Sequence, residues 1–227
     1  MHIIKISDLL FMLIPISIVW YFYYSWTKNY KEVGLATFRM VLQLLIIGYL
    51  LVYIFNSKNA FVGFFVLFFM ISVSSFIALR NVKKRDLKTY AKFFVSILIG
   101  GSFNLILPLY FVLNLHPLYQ PKFIIPLAGM VFANAMNALS LTAERFEREI
   151  ELNEYKKARA ISLKASLIPQ INAFLAVGLV SLPGMMTGQI LSGVDPIIAV
   201  RYQIMVMAMV LGSAGMSSIT YLYLQRR

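Results

Sequence analysis

Cysteine is absent from this chain, which excludes disulfides, thiolate metal sites and a cysteine nucleophile together. Histidine is almost as scarce. His2 and His116 are far apart, and neither H-x-x-x-H nor H-E-x-x-H spacing occurs, so the pattern of a zinc hydrolase is missing. No glycine is followed by lysine anywhere. The chain therefore lacks the G-x-x-x-x-G-K-[ST] loop whose backbone N–H groups cradle nucleotide phosphates. Acids number only nine, and none falls in the middle of an apolar run. Glu32, Asp86, Glu144, Glu147, Glu149, Glu151 and Glu154 lie in basic connections, while Asp8 and Asp195 flank apolar segments. A proton relay, a dehydrated carboxylate cation site or a paired-aspartate intramembrane hydrolase cannot be assembled from that set.

What remains is apolar. Hydrophobic residues make up 60% of the 227 and charged residues 13%, with a mean hydropathy of +0.77. Few soluble domains are so apolar, and the pattern predicts an all-α integral membrane protein. Seven apolar segments can be drawn: 9–26, 38–55, 60–79, 93–115, 123–143, 167–192 and 196–224. Each reaches the roughly 17–25 residues that a spanning helix needs. The first ends in Trp20, Tyr21, Phe22, Tyr23, Tyr24 and Trp26, an aromatic belt that predicts a retained helix and not a cleaved leader.

The net charge of +12 is spread between these runs and does not form one basic stripe, so it reads as topology and not as nucleic-acid binding. All but four of the 21 Lys and Arg fall in alternate connections, at 28–39, 80–92, 145–164 and 226–227. The four on the other side are Lys5, Lys58, Lys122 and Arg201. The positive-inside rule then predicts an outer amino terminus and a cytosolic carboxyl terminus, a multi-pass arrangement in the cell inner (plasma) membrane. No soluble domain interrupts the chain, so 1–227 reads as a single transmembrane domain. Its longest polar segment is 144–164. Glu144 with Arg148, and Arg145 with Glu149, are opposite charges at i,i+4, which predicts a cytosolic helix that turns near 155–160.

Several side chains stand out against this background. Asn134 and Asn137 lie three apart in the fifth segment, either as interhelical hydrogen-bond donors or as a polar lining for a substrate. Gly129 and Ala133 add a small-xxx-small spacing beside them. The sixth segment carries Pro183-Gly184, followed by Met185, Met186, Gly188 and Gln189. A proline and two glycines there predict a broken helix, and broken helices line binding sites in many transporters because they free backbone groups. The sulfur atoms of Met185 and Met186 suit a soft ion better than a hard one and equally fill irregular packing. Asp195-Pro196 reads as an N-cap with proline in the first helical position. Arg39 sits where its stem can snorkel to the interface, four residues before Gln43.

The string Ser181-Leu182-Pro183-Gly184-Met185-Met186-Thr187-Gly188-Gln189, with Ala199-Val200-Arg201-Tyr202-Gln203, resembles the membrane subunit of the bacterial Fet-type iron-export ABC transporters. That family includes a plant permease subunit linked to aluminium tolerance. Arg39-Met40-Val41-Leu42-Gln43, Ile125-Pro126-Leu127-Ala128-Gly129 and Asn134-Ala135-Met136-Asn137 extend the resemblance over most of the chain. It implies a permease subunit, not itself an enzyme, that works as a homodimer in the lipid bilayer and exports metal ions. A cognate ABC ATPase would then bind ATP and Mg, with no cofactor in this chain. Docking would fall on the long cytosolic segment, through Glu149, Glu151, Tyr155, Lys156 and Arg159, and the substrate route on Asn134, Asn137, Met185, Met186 and Gln189. No residue is assigned to a metal. An organic substrate such as a sugar nucleotide, and a non-catalytic membrane scaffold, stay open as alternatives.

Overall fold

A computed structural model describes residues 5–57, 59–117 and 119–226; His2, Lys58 and Arg227 lie outside them. The described residues are helical throughout apart from short connections, and the chain divides into two compact units, Met1–Asn56 and Ser57–Arg227.

The first unit is a helical hairpin, α1 (Leu13–Thr27) and α2 (Lys31–Asn56), with a 3₁₀ turn at Ile6–Met12 leading into α1. Lys28 closes α1 in the left-handed region at φ 59°, and its N–H bonds the carbonyl of Tyr24 at 2.8 Å. The turn is pinned by Trp20, whose Nε1 donates to the carbonyl of Tyr30 at 2.8 Å while its ring lies over Gly34. The Tyr23 hydroxyl also bonds Glu32 across the same turn.

The second unit contains α3 (Ala60–Ala78), α4 (Leu87–Leu107), α5 (Pro121–Glu149), α6 (Tyr155–Ala176), α7 (Gly184–Leu191) and α8 (Pro196–Leu224). Its inside packs small residues between large ones such as Phe93, Phe132 and Tyr221, and its outside is rich in large apolar side chains. Ser75, Ser96, Ala128, Ala135, Ala138, Ser213 and Ser217 are fully buried, whereas Phe61, Phe64, Phe65, Phe68 and Phe69 of α3 are exposed. This follows from lipid as the solvent, because acyl chains are as apolar as leucine and helices gain by approaching closely. The tightest approach is between α4 and α8, where a Cβ on Gly100 would stand 2.5 Å from the backbone nitrogen of Ser217. Buried hydroxyls finish the seams. Thr142 donates to Ser218 at 2.9 Å between α5 and α8, and Ser213 of α8 donates to the carbonyl of Val131 at 3.3 Å.

Among the described residues, six helical stretches are long and apolar enough to cross a membrane: Ser7–Thr27, Lys31–Asn56, Ala60–Asn81, Leu87–Val112, Pro121–Glu149 and Pro196–Leu224. The sixth of the seven segments drawn from the sequence, 167–192, is not one spanning helix. α6 begins earlier, at Tyr155, and ends at Ala176; residues 177–183 are irregular, and α7 restarts at Gly184. The break is thus where Pro183-Gly184 predicted it, but it opens seven residues before Gly184. Pro183, with φ −62° and ψ 146°, serves as the N-cap of α7.

The polar connection is also shorter than expected. α5 runs on to Glu149, the chain turns over 150–154, and Lys156 to Lys164 already belong to α6. The turn comes about one helical turn before the expected 155–160, because Tyr155 is anchored. Its hydroxyl donates to the carbonyl of Leu222 at 2.7 Å, and its ring packs edge-on to Phe146.

Candidate functional site

The break in α6–α7 leaves a cavity of about 310 Å³ between α5, α6, α7 and α8. Four helices supply it because each offers a small or polar residue at that level. Pro169 interrupts the backbone ladder of α6 just before Gln170, Pro183 and Gly184 start α7 without a side chain in the way, and Gln203 lies two turns into α8. Three amides line the space: Asn134, Gln170 and Gln203. Thioethers of Met130, Met185 and Met207 and the apolar side chains of Val206, Val210 and Phe174 complete it.

Asn134 is oriented by its own helix, since Nδ2 donates to the carbonyl of Met130 at 2.8 Å. Gln170 and Gln203 are 6% and 5% exposed, and the side-chain oxygen of each is buried without a hydrogen-bond partner. No charged residue lines the cavity. Among the described residues, no three or more His, Asp or Glu side chains gather as a metal cluster.

The structure separates the residues that the sequence grouped. Asn134 and Met185 line the cavity; Asn137 is exposed and Met186 is half-buried away from it. Gln189 is half-buried outside the cavity too, with its side-chain oxygen unpartnered. A Cβ on Gly184 or Gly188 would meet no described atom within 4 Å, so the glycine pair serves no close approach within this chain. Gln170 and Gln203 escaped the sequence reading. Their signal was an amide in a largely apolar stretch, but nothing local indicated that they share a space with Asn134.

A second feature stands at the end of the unit where α5 meets α6. Lys83 pairs with Glu151 at 2.6 Å, its backbone N–H bonds Glu147 at 3.0 Å, and Lys92 donates to Gln225 at 2.8 Å. The Lys83 hydrogen bond and charge hold the Glu151 carboxyl below the usual range, and the same bond and charge hold the Lys83 ammonium above its own. Basic connections 80–92 and 145–164 and the end of α8 therefore share one end of this unit.

Of the proposed docking residues, Glu149 is turned inward. It is 8% exposed, paired with Arg145 at 2.8 Å and bonded by Asn153 at 2.8 Å. Tyr155 is committed to α8, and Arg159 lies 5.5 Å over the Tyr155 ring. Glu151 and Lys156 are exposed, as is Leu152, an apolar side chain 81% exposed at the tip of the turn that the sequence reading passed over.

The chain matches the model of the Uncharacterised protein family (UPF0014) over residues 6–161 and 153–227. It belongs to this family. Among its members, the Probable iron export permease protein FetB of Escherichia coli (strain K12) is 34% identical over 216 residues, covering 87% of this chain and 81% of that one. Protein ALUMINUM SENSITIVE 3 of Arabidopsis thaliana is 36% identical over 221 residues, covering 88% and 79%. The UPF0014 membrane protein slr1647 of Synechocystis sp. (strain ATCC 27184 / PCC 6803 / Kazusa) is 32% identical over 197 residues, covering 80% and 76%. No solved structure matches the chain. Family membership agrees with the resemblance carried by the Leu182-Pro183-Gly184-Met185-Met186 string. With six apolar helices it makes this UPF0014 member a multi-pass membrane protein.

Proposed function

We propose that this UPF0014 member is the membrane-spanning permease of an ATP-driven ABC exporter of metal ions, with iron the first substrate to test. The observation that carries the reading is similarity along most of both chains to a protein named a probable iron export permease. In this reading ATP and Mg belong to a separate ATPase subunit and the chain is a permease subunit without enzyme activity of its own, which the lack of any Gly-Lys pair in the sequence supports. The exposed turn at Glu151, Leu152 and Lys156 is the surface offered to that subunit, beside the basic connections that the positive-inside rule puts in the cytosol. Two copies would form the transporter, the pattern that the ABC resemblance implies. The cavity beside the break is the substrate route, with Asn134 and Met185 in its wall.

The test is reconstitution of the chain with its cognate ATPase in proteoliposomes. ATP-dependent movement of iron across the bilayer, with iron-stimulated hydrolysis, is expected. Association without metal-stimulated hydrolysis or transport would overturn the metal-export reading, and failure of any ATPase to associate would overturn the ABC reading.

A further inference from the structure

Arg201 is the one charged residue in α8, and nothing in the fold pairs with it. It is exposed, and no carboxylate, hydroxyl or carbonyl among the described residues bonds it. Asp195, the nearest acid in sequence, is spent on the α8 cap. Its depth in the bilayer follows from the helix. Gln225, which Lys92 holds at the basic end, lies about 36 Å further along α8 at the helical rise. The hydrocarbon layer is about 30 Å thick, so Arg201 stands at the headgroup level of the opposite leaflet. Snorkelling accounts for that level, but not for what lies beneath it.

Beneath Arg201 is a groove of about 340 Å³ between the end of α4 and α8. Its origin is the backbone after α4. Pro108 supplies no N–H, and the chain widens into one π-helical turn, Pro108–Val112, closed by the Leu113 N–H on the Pro108 carbonyl at 2.9 Å. Ala208 lines the groove from α8 with little bulk to fill it. Pro108, Met205 and Met209 are buried beneath it, and Leu107, Val112 and Ile204 are exposed along its edges. From Arg201 to Met209 it runs about 12 Å, most of the roughly 15 Å of hydrocarbon in one leaflet.

The other polar residue of the groove is committed. Asn104 Nδ2 donates to the Gly100 carbonyl at 2.8 Å and to the Met216 sulfur at 3.2 Å. The groove is therefore amphipathic along its length, with an unpaired cation at one end and an apolar trough below. Its complement is an anion joined to a hydrocarbon chain. A small free anion would leave the trough unfilled. An apolar helix laid over it would bury the guanidinium without a counter-charge, which is costly.

We propose that the α4–α8 groove binds an anionic phospholipid, with its phosphate on the Arg201 guanidinium and one acyl chain along Pro108, Met205 and Met209. Arginine suits this role because its planar fork matches phosphate oxygens. The inference is independent of the permease reading, since it requires only the bilayer.

The experiment uses the full chain in phosphatidylcholine nanodiscs. They are doped with phosphatidylglycerol or phosphatidylcholine carrying a photoreactive diazirine in the acyl chain, and labelled peptides are mapped by mass spectrometry. Labelling within 104–112 and 201–209 is expected to favour the phosphatidylglycerol probe about fivefold, the share of one arginine at an anionic headgroup. Arg201→Gln should abolish that preference, and Arg201→Lys should keep most of it. Ala208→Phe fills the trough and leaves the charge, so it should lower labelling by both probes at these positions. Lys84→Gln, at an exposed cation of the basic end, should change nothing there.

Equal labelling by the two probes in the wild-type chain, or a preference that survives Arg201→Gln, overturns the site. Suppression by excess water-soluble glycerophosphate overturns it in favour of a small-anion site. Absence of labelling also overturns it, and a dimer that Ala208→Phe dissociates would then assign the groove to a second copy of this chain.

Discussion

Asp195 illustrates how a lone acid in an apolar chain can be wholly local in its purpose. Its Oδ1 accepts from the N–H of Ile197 at 2.8 Å and of Ile198 at 3.4 Å, and Pro196 occupies the next position, where a missing N–H costs nothing. Asp195→Ala is expected to cost about 1 kcal/mol through the lost cap, read as a lower thermal midpoint in detergent with iron transport retained. Asp195→Asn should restore most of it, because the amide oxygen accepts the same bonds. Glu149 shows the opposite case. It belongs to the charged helix face by sequence, yet it is packed inward between Arg145 and Asn153.

At the scale of elements, the α5–α6 turn is held from two other places, by the Lys83 side chain of the α3–α4 connection and by the backbone carbonyl of Leu222 in α8. This leaves Glu151 and Leu152 at a fixed tip. Glu151→Lys combined with Leu152→Ala is expected to weaken capture of the ATPase at least tenfold while membrane insertion stays normal, checked by co-purification. Glu149→Lys, by contrast, should lower the thermal midpoint, because it places two cations where one carboxylate satisfied Arg145 and Asn153.

The Lys83–Glu151 pair also has a pH signature. Glu151 is depressed, so its contribution is complete above the ordinary glutamate range and fades as pH falls through its folded value. Lys83 is raised, so its contribution is complete below the ordinary lysine range and fades as pH climbs through its folded value. The contact therefore spans neutral pH. Lys83→Met should remove the acid-side loss from a pH titration of thermal midpoint, and the effect is small because both groups face solvent.

For the whole molecule, the governing fact is lipid on the outside. The phenylalanines of α3 face outward, while serines and alanines let the buried helix seams close tightly. Orientation is the expectation to test at this scale. A cysteine at Lys84 should react with a membrane-impermeant maleimide only from the cytosol, and one at Lys122 only from outside. Both positions are exposed, so burial would not mask labelling. Reversed labelling would place the α5–α6 turn outside and remove it from any ATPase contact.

The membrane class, the helical segments, the i,i+4 pairs Arg145–Glu149 and Glu144–Arg148, the cap at Asp195 and the break before Gly184 were all legible in the sequence. Each depends on hydropathy, charge spacing or backbone chemistry within about twenty neighbouring residues. Only the tertiary structure decided that Asn134, Gln170 and Gln203 meet while Asn137 and Met186 do not. These three amides are more than thirty residues apart in the chain. Their meeting depends on how each helix is rotated about its own axis, and that rotation is set by long-range packing, such as Gly100 against Ser217. The inward turn of Glu149 has the same origin. Its helix is evident from local spacing, but which face of that helix is covered depends on the neighbours that the fold brings to it.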